Sequence, residues 1–329
     1  MSLTTFFASE TISSEKACKP FSALQQCRIA GVTVHRTTLE EASTQIIDAL
    51  RRRRDHAPFL IMGPNAQLIA LAQKDSRFAE TLHASALNVP DGISIVLASK
   101  ILGGNISTRV TGGDLMEALC LKAARHNLSV FFLGGLPGAA AITSVRFRRR
   151  YPALSIVGTY CPPLGFERDP LECAQIRQLI TQASPDLLFV AFGAPKQEIW
   201  MHENCPSLPI GAAMSVGAAF DTQSGLRKRA PRWTHNLGLE WLYRLVHEPR
   251  RLWRRYLIGN THFLYLVLKQ RFLYGQSADR EAASPSSHQA YKSNSHSPFI
   301  QSACEPQNVE SQPYPSPIEN ENPCPTSIN

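Results

Sequence analysis

Residues 187–198, LLFVAFGAPKQE, join an apolar run to the start of a helix and indicate how the chain folds. The run at residues 187–192 contains no polar side chain, which is typical of a strand covered on both faces of a sheet. Gly193-Ala194-Pro195 then forms a turn, and Lys196-Gln197-Glu198 opens a helix. Because buried strands of this kind belong to parallel sheets, each needs a crossover connection, usually a helix, before the next.

The same order of strand and helix recurs along most of the chain. Thr38-x-x-Glu41 is a capping box that starts a helix soon after a short strand at residues 28–34. Further strands are predicted at residues 59–62, 86–89, 128–133, 154–158, 187–192 and 210–219. This alternation predicts an α/β fold with a mainly parallel, Rossmann-like sheet and helices on both faces. Ligands of such sheets bind beyond the carboxyl ends of the strands.

Composition limits the classes of function. The chain has 329 residues and a formal net charge of +8, which favours phosphate-bearing partners: nucleic acid, anionic lipid or a nucleotide-linked substrate. Its eight cysteines are scattered without a CxxC pair, which argues against zinc and indicates reduced thiols in a cytosolic protein. No apolar run reaches the roughly 18 residues of a membrane span, so any membrane contact is predicted to be peripheral.

Four segments are predicted from the changes in composition. Residues 1–26 form a disordered arm, residues 27–226 the α/β core, residues 227–275 a basic helical appendage, and residues 276–329 a disordered tail rich in Ser, Pro and Asn. The appendage mixes arginines with tryptophans and tyrosines. It is either a solvated helical surface or an anion-binding element that associates with the membrane.

Asp91-Gly92 directly follows a predicted strand. It is either an ordinary turn that caps a helix or the position of a general base, which would take a proton from a hydroxyl nucleophile.

Residues 109–114, Arg-Val-Thr-Gly-Gly-Asp, precede another predicted helix. Arg109 can bind an anion, and Thr111 and Gly112 lie where backbone N–H groups at a helix start can approach one. Asp114 is predicted to be the N-cap of this helix, with substrate binding as its alternative role.

Two further loops carry candidate phosphate-binding residues. Gly135 lies in Gly-Gly-Leu-Pro-Gly at residues 134–138, which resembles a pyrophosphate turn but is not GxGxxG. Residues 157–160 lack the acid that a dinucleotide fold places about 20 residues later, which argues against an NAD enzyme. Lys196 can meet phosphate and Gln197 can hydrogen-bond a sugar or base, or both can simply open a helix.

Several stretches together resemble the bacterial WecG/TagA/CpsF glycosyltransferase family over residues 28–265. They are residues 89–93 VPDGI, 109–115 RVTGGDL, 192–198 FGAPKQE, 217–221 GAAFD, 228–231 KRAP and 239–251 LEWLYRLVHEPRR. The resemblance implies inverting transfer from a UDP-sugar to a sugar on undecaprenyl diphosphate. It implies no metal, and the chain has no Asp-x-Asp; no cofactor is predicted either.

The resemblance also implies residue roles. Asp91 matches the base, and Asn65, Arg109 and Gln197 match substrate contacts. In the family, arginines of a C-terminal appendage close over the active site at the membrane, and these correspond to Arg244, Arg251 and Arg254. One position departs from the family, because Gly63 stands where a threonine is often found.

The predicted function is therefore transfer of a hexose or N-acetylhexosamine in exopolysaccharide or cell-surface glycan assembly. The alternative is an N-acetylmannosaminyl or N-acetylmannosaminuronyl transferase of the teichoic acid or enterobacterial common antigen type. The alternative outside the transferases is a nucleic-acid-binding protein that uses the basic appendage. The transferase prediction itself includes no nucleic-acid partner. The predicted partners are the UDP-sugar, the lipid-linked acceptor and the anionic inner leaflet, on which the cytoplasmic protein would be peripheral. The oligomeric state, including a homo-oligomer, is left open.

Overall fold

The computed structural model describes residues 21–52, 57–228, 231, 234, 243, 245 and 259–273. Within them lies a six-stranded parallel sheet in the order β4-β3-β8-β7-β5-β6. Its strands are β3 (Phe59–Met62), β4 (Leu87–Asn88), β5 (Ser129–Gly134), β6 (Ser155–Tyr160), β7 (Leu187–Ala191) and β8 (Ala212–Ser215). The predicted parallel α/β fold is confirmed, and each predicted strand of the sheet is present, β3 with the predicted ends and the other five with shifted ends.

Helices cover both faces of the sheet, and apolar clusters lie between each face and its helices. The helices are α1 (Leu39–Arg52), α2 (Ala66–Ala72), α3 (Ser76–Ala84), α4 (Ile93–Ile101), α5 (Gly112–Arg125), α6 (Ala139–Arg150), α7 (Pro170–Ala183), α8 (Lys196–Asn204) and α9 (Ala219–Gln223). The predicted capping box starts α1: Thr38 N–H donates to Glu41 Oε2 at 2.8 Å, and Glu41 N–H donates to Thr38 Oγ1 at 3.2 Å.

The order of the strands creates a crevice at the carboxyl edge of the sheet. The connection after β5 leads outward to β6, whereas the connection after β7 leads back to β8. The loops that leave these two neighbouring strands therefore diverge, which is the arrangement at which open α/β sheets bind ligands. Gly134 allows the strands to approach closely here, because a Cβ atom on it would lie 2.7 Å from Ala191 O.

The chain before the sheet forms a hairpin instead of the predicted single strand at residues 28–34. Strand β1 (Gln26–Ile29) pairs antiparallel with β2 (Val32–His35). The turn uses Ala30 and Gly31, which both have positive φ, at 42° and 79°. Two residues with positive φ match the right-handed twist of a hairpin, and this turn has no Asn-Gly or Asp-Gly signature in the sequence.

The predicted arm over residues 1–26 is too long. Phe21 is buried, and its ring lies edge-on to that of Phe59 in β3, with centroids 5.5 Å apart. Phe21 therefore belongs to the packed core, while residues 1–20 lie outside the described residues.

Only part of the predicted appendage is described, chiefly a helix over residues 259–273. Phe263 and Val267 of helix 259–273 are buried in the core cluster on one face of the sheet. The predicted tail over residues 276–329 lies outside the described residues. In the part of the chain that the structure describes, no helix is both long and apolar enough to cross a membrane.

Candidate active site

The loops that follow three adjacent strands, β4, β3 and β8, lie at the carboxyl edge of the sheet and contain two of the predicted site residues. Asp91 follows β4, Asn65 follows β3, and Gly217 follows β8. The loop that contains Arg109 joins them, because Val110 N–H donates to Pro90 O at 2.8 Å. Asp91, Asn65 and the Arg109 loop therefore lie at the same edge of the sheet.

The two residues before Asp91 are fixed by backbone hydrogen bonds to neighbouring elements. Val89 N–H donates to Met62 O of β3 at 2.8 Å, and Pro90 O accepts the bond from Val110. The Asp91 side chain is half-buried beside Gly63. A Cβ atom on Gly63 would lie 3.3 Å from Asp91 Cβ, so the glycine leaves little more than the room that Asp91 occupies.

Asn65 has a structural role that its sequence position also predicts. Its Oδ1 accepts hydrogen bonds from Gln67 N–H at 3.1 Å and Leu68 N–H at 3.2 Å, which makes it the N-cap of α2. Because Oδ1 is engaged in the cap, Nδ2 is the atom with which Asn65 can donate to a ligand.

Thr111, not Asp114, is the N-cap of α5, so the predicted cap is wrong by three residues. Thr111 Oγ1 accepts from Asp114 N–H at 3.3 Å and donates to Asp114 Oδ2 at 2.7 Å. A hydroxyl at the N-cap can accept a hydrogen bond from the N–H three residues later, and Thr111 and Asp114 have this spacing in the sequence. Gly112 packs against β8, where a Cβ would lie 3.5 Å from Ser215 O.

Gln197 is buried and connects α8 to the end of β8. Its Oε1 accepts from Gly217 N–H at 3.2 Å, and its Nε2 donates to Glu198 Oε1 at 2.7 Å. Gln197 is 4% exposed and Glu198 is 1% exposed, so both side chains lie beneath the site surface. In this structure Gln197 orients the Gly217 loop and does not present its amide to the crevice.

The loop between β5 and α6 is fixed by Asp221, whose role was not predicted although it ends the GAAFD motif. Asp221 Oδ1 accepts from Leu136 N–H at 2.9 Å, and Arg227 Nη1 lies 3.9 Å from Oδ2. Gly135 N–H donates to Ala191 O at 2.8 Å. With the 135 and 136 N–H groups bonded within the protein, this loop is less suited to cradle a diphosphate than its glycines suggest.

Cys161 is another residue of this loop region that sequence reasoning missed. Its Sγ lies 3.3 Å from Gly135 O, to which the thiol donates. Burial, and secondly the negative charge of Asp221, raise the pKa of the Cys161 thiol. A scattered cysteine carries no sequence signal for this position, since the contact joins residues 26 apart in the chain.

Lys196 is engaged in an ion pair at the side of the crevice nearer β6. Its Nζ lies 2.7 Å from Glu167 Oε1 and 5.7 Å from the centroid of the Phe166 ring. The hydrogen bond from Lys196 is the main reason that the pKa of Glu167 is lowered. Since both side chains are partly exposed, the pair is weak enough for Lys196 to exchange Glu167 for a phosphate.

The last two predictions concern the arginines of the appendage and the binding of a metal. Arg244, Arg251 and Arg254 lie outside the described residues. Among the residues that the structure does describe, no group of three or more His, Cys, Asp or Glu side chains is arranged to hold a metal ion.

Comparisons with known proteins show the family to which the chain is similar. A family model described as glycosyl transferase WecG/TagA/CpsF family matches residues 27–277. An N-acetylglucosaminyldiphosphoundecaprenol N-acetyl-β-D-mannosaminyltransferase of Bacillus spizizenii is 36% identical over 209 residues, covering 64% of this chain and 78% of the relative. A protein of the same description from Bacillus subtilis is 32% identical over 206 residues, covering 63% and 77% of the two chains.

Proposed function

This chain belongs to the WecG/TagA/CpsF glycosyl transferase family, and from that premise we propose that it is an N-acetylmannosaminyltransferase. The proposed donor is UDP-N-acetylmannosamine. The proposed acceptor is N-acetylglucosamine on undecaprenyl diphosphate, and the new linkage is β. The proposed reaction inverts the anomeric centre and needs no metal.

The relatives favour the alternative predicted from the sequence, an N-acetylmannosaminyltransferase, over the broader prediction of a hexose or N-acetylhexosamine. Both carry N-acetyl-β-D-mannosaminyltransferase activity in their descriptions, and each is matched over more than three quarters of its length. The glycine at position 63, which departs from the family pattern, is an argument for a different sugar. Its position against Asp91 offers another explanation, namely that it accommodates the base.

The observation that carries the proposal is the placement of Asp91 within a family-matched site. Asp91 follows the edge strand β4 and lies beside Gly63, and the Arg109 loop is bonded to the residue before it. In the proposed step the Asp91 carboxylate takes the proton of the acceptor hydroxyl as that oxygen attacks C1 of the donor sugar. The C1–O bond to the diphosphate breaks, and UDP leaves with its electron pair.

The charge that develops on UDP must be neutralised by cations and N–H groups. Arg109 is half-buried at the same edge as Asp91, and Lys196 lies beside the crevice between β5 and β7. Such donors act by electrostatic stabilisation of the leaving group. Arg244, Arg251 and Arg254 are proposed to add to them, as the family resemblance implies.

A lipid-linked acceptor would confine the reaction to a membrane surface. Helix 259–273 supports peripheral docking, because one side packs on the core and the other exposes Leu264, Tyr265, Leu268 and Phe272. Lys269 and Arg271 are exposed beside these apolar residues. Apolar side chains flanked by cations suit an anionic interface. We place the protein on the cytoplasmic leaflet on this ground.

The proposal is tested by supplying UDP-sugars one at a time with a short-chain lipid-diphosphate N-acetylglucosamine acceptor. The donors are UDP-N-acetylmannosamine, its uronic acid, UDP-N-acetylglucosamine, UDP-glucose and UDP-galactose. Mass spectrometry should show one added N-acetylhexosamine from UDP-N-acetylmannosamine and much slower transfer from the others. Faster transfer of glucose or galactose would return the hexose reading, and no transfer to this acceptor would reject the proposed acceptor.

A further inference from the structure

The residue three positions before Asp91 occupies the open edge of the sheet. Strand β4 is the first in the strand order, and Val89 N–H faces its neighbour β3. Because successive N–H groups of a strand point to opposite sides, Asn88 N–H faces the outer side of β4. An edge N–H must find a partner other than a strand of the same sheet.

That partner is the imidazole of His35, at the end of the hairpin. Asn88 N–H donates to His35 Nδ1 at 3.1 Å, and both residues are buried. To accept this bond the imidazole must be neutral with its proton on Nε2, which lies 3.3 Å from Gln26 Nε2. A rotation of the Gln26 amide would place its oxygen at this contact.

The side chain of Asn88 makes a second set of bonds. Its Nδ2 donates to Thr33 O in β2 at 3.0 Å and to Leu82 O at 2.9 Å, and its Oδ1 accepts from Ser85 Oγ at 2.8 Å. Strand β4 therefore has β3 on one side and the hairpin on the other. Its backbone and side chain are both tied to β2 just before the chain reaches Asp91.

The turn of the same hairpin is clamped by two glutamines. Gln270 of helix 259–273 accepts from Ala30 N–H at 2.7 Å and donates to Arg28 O at 2.8 Å. Gln73 Nε2 donates to Ala30 O at 2.6 Å. Since Ala30 has positive φ, these bonds also hold a backbone conformation that is unusual for a residue with a side chain.

We propose that His35 and Asn88 are positioning residues for Asp91, and that Gln270 links the seating of helix 259–273 to the same positioning. The hairpin is the element between them. It bonds helix 259–273 at its turn and β4 at the end of its second strand. This inference rests on the proposed function, in which Asp91 is the base.

The physical reason is that Asn88 lies only three positions before Asp91 in the chain. Loss of the His35 acceptor would leave a buried N–H group without its bond, and β4 could then move on its outer side. A displacement of about 1 Å in a catalytic group can cost about a hundredfold in rate. The crevice between β5 and β7, where Lys196 would meet the diphosphate in the proposed function, lies on the far side of β3 and β8.

Paired substitutions at His35 test the first part. His35→Asn keeps an acceptor near the position of Nδ1, whereas His35→Leu removes it. We expect His35→Leu to lower kcat by about 10- to 100-fold, with unchanged UDP affinity and faster exchange of the Asn88 amide hydrogen. His35→Asn should restore most of kcat and most of the amide protection.

A matched control separates positioning from general destabilisation. Ser129 is the first residue of β5, at the end of the strands away from Asp91. Its N–H donates to Asp186 Oδ2 at 2.7 Å, and its Oγ donates to the same atom at 2.8 Å. Ser129→Ala should reduce the free energy of unfolding while kcat stays near the wild-type value. Equal losses of kcat in Ser129→Ala and His35→Leu, or unchanged kcat in His35→Leu, would overturn the positioning role.

The link to helix 259–273 is tested with Gln270→Ala alone and combined with His35→Leu. We expect Gln270→Ala to raise Asn88 amide exchange and lower kcat, and the double variant to lose less than the product of the two separate effects. Independent effects would overturn the link. Amide exchange is measured without substrate, so it tests the positioning network independently of the proposed function. The network can be absent in an enzyme that transfers the sugar. It can also be present in a protein that fails the donor screen.

Discussion

At the scale of single residues, the proposed chemistry depends on Asp91. Its backbone neighbours are bonded to β3 and to the Arg109 loop, so its position does not depend on its own charge alone. We expect Asp91→Asn to lower kcat by about 10²–10⁴-fold, the usual contribution of a general base, while the variant still binds UDP. Steady-state kinetics and calorimetric UDP titration measure the two quantities. Near wild-type turnover by the folded variant would remove Asp91 from the mechanism.

Gly63 provides a second prediction at this scale. Alanine there would place a methyl group 3.3 Å from Asp91 Cβ, which is closer than ordinary contact and next to backbone-anchored atoms. We expect Gly63→Ala to displace Asp91 and lower kcat more than it changes the affinity for UDP. Overpacking of this kind costs about 1–3 kcal/mol in stability, which urea unfolding would measure. An active Gly63→Ala enzyme that prefers another donor would instead show that position 63 selects the sugar.

At the scale of elements, the β5–α6 loop depends on a carboxylate from α9. Asp221 bonds Leu136 N–H, and its charge contributes to the raised pKa of Cys161. Removing that charge in Asp221→Asn should lower the pKa of the thiol and increase its thiolate fraction at pH 8. Alkylation of Cys161 by iodoacetamide, followed by peptide mass spectrometry, should therefore be faster in the variant.

Burial is the larger cause of the raised pKa, so the comparison needs a control. The nearby half-buried Cys173 donates to Phe166 O, and it reports any general loosening of the fold. Faster alkylation of both cysteines would indicate unfolding of the region and not a change of charge. An unchanged rate at Cys161 would show that Asp221 has no measurable effect on the thiol.

Local patterns in the sequence predicted the elements better than they predicted the contacts between them. The capping box at Thr38 and Glu41 involves neighbouring residues, and strands such as β3 and β7 are apolar throughout, so both were readable from the sequence. The hairpin was missed because the residue at its turn, Ala30, adopts positive φ only with help from Gln73 and Gln270. Those partners are 43 and 240 residues away in the chain.

The same distinction applies to the candidate site. Asp91 and the Arg109 loop were predicted as site residues because polar residues at strand ends, together with a family resemblance, point to chemistry. Gln197 was named as a substrate contact, but the structure shows it bonded to Gly217 and Glu198 beneath the surface. Pairings of this kind are set by how strands are ordered in the sheet, which single-sequence patterns do not specify.

At the scale of the whole molecule, charge balance bears on how UDP departs. The chain carries a net charge of +8 and no Asp-x-Asp, and arginines are abundant in residues 227–275. We therefore expect turnover to persist after EDTA treatment, because cationic side chains meet the leaving-group charge. Activity assays in metal-free buffer, with and without added Mn²⁺ or Mg²⁺, provide the measurement. Complete loss with EDTA that either metal restores would reveal a metal requirement.

The same basic segment provides the last prediction. Removing all residues after 226 is a poor test, since it would also delete helix 259–273 and uncover the core around Phe263 and Val267. Single Arg→Ala substitutions avoid this. The positions 244, 251 and 254 are separated by seven and three residues and would share one face of a helix. Each variant should lose about tenfold or more in kcat while vesicle binding is mostly spared.

Lys269→Ala and Arg271→Ala serve as the matched controls, because both are exposed on helix 259–273 and neither matches an active-site arginine of the family. They should weaken binding to vesicles that contain anionic lipid, in a salt-dependent way, and leave turnover of a soluble acceptor analogue near the wild-type value. If all five variants weaken vesicle binding alike and turn over the soluble analogue normally, the segment only docks the protein. If the first three lose turnover even on the soluble analogue, their arginines act on the diphosphate itself.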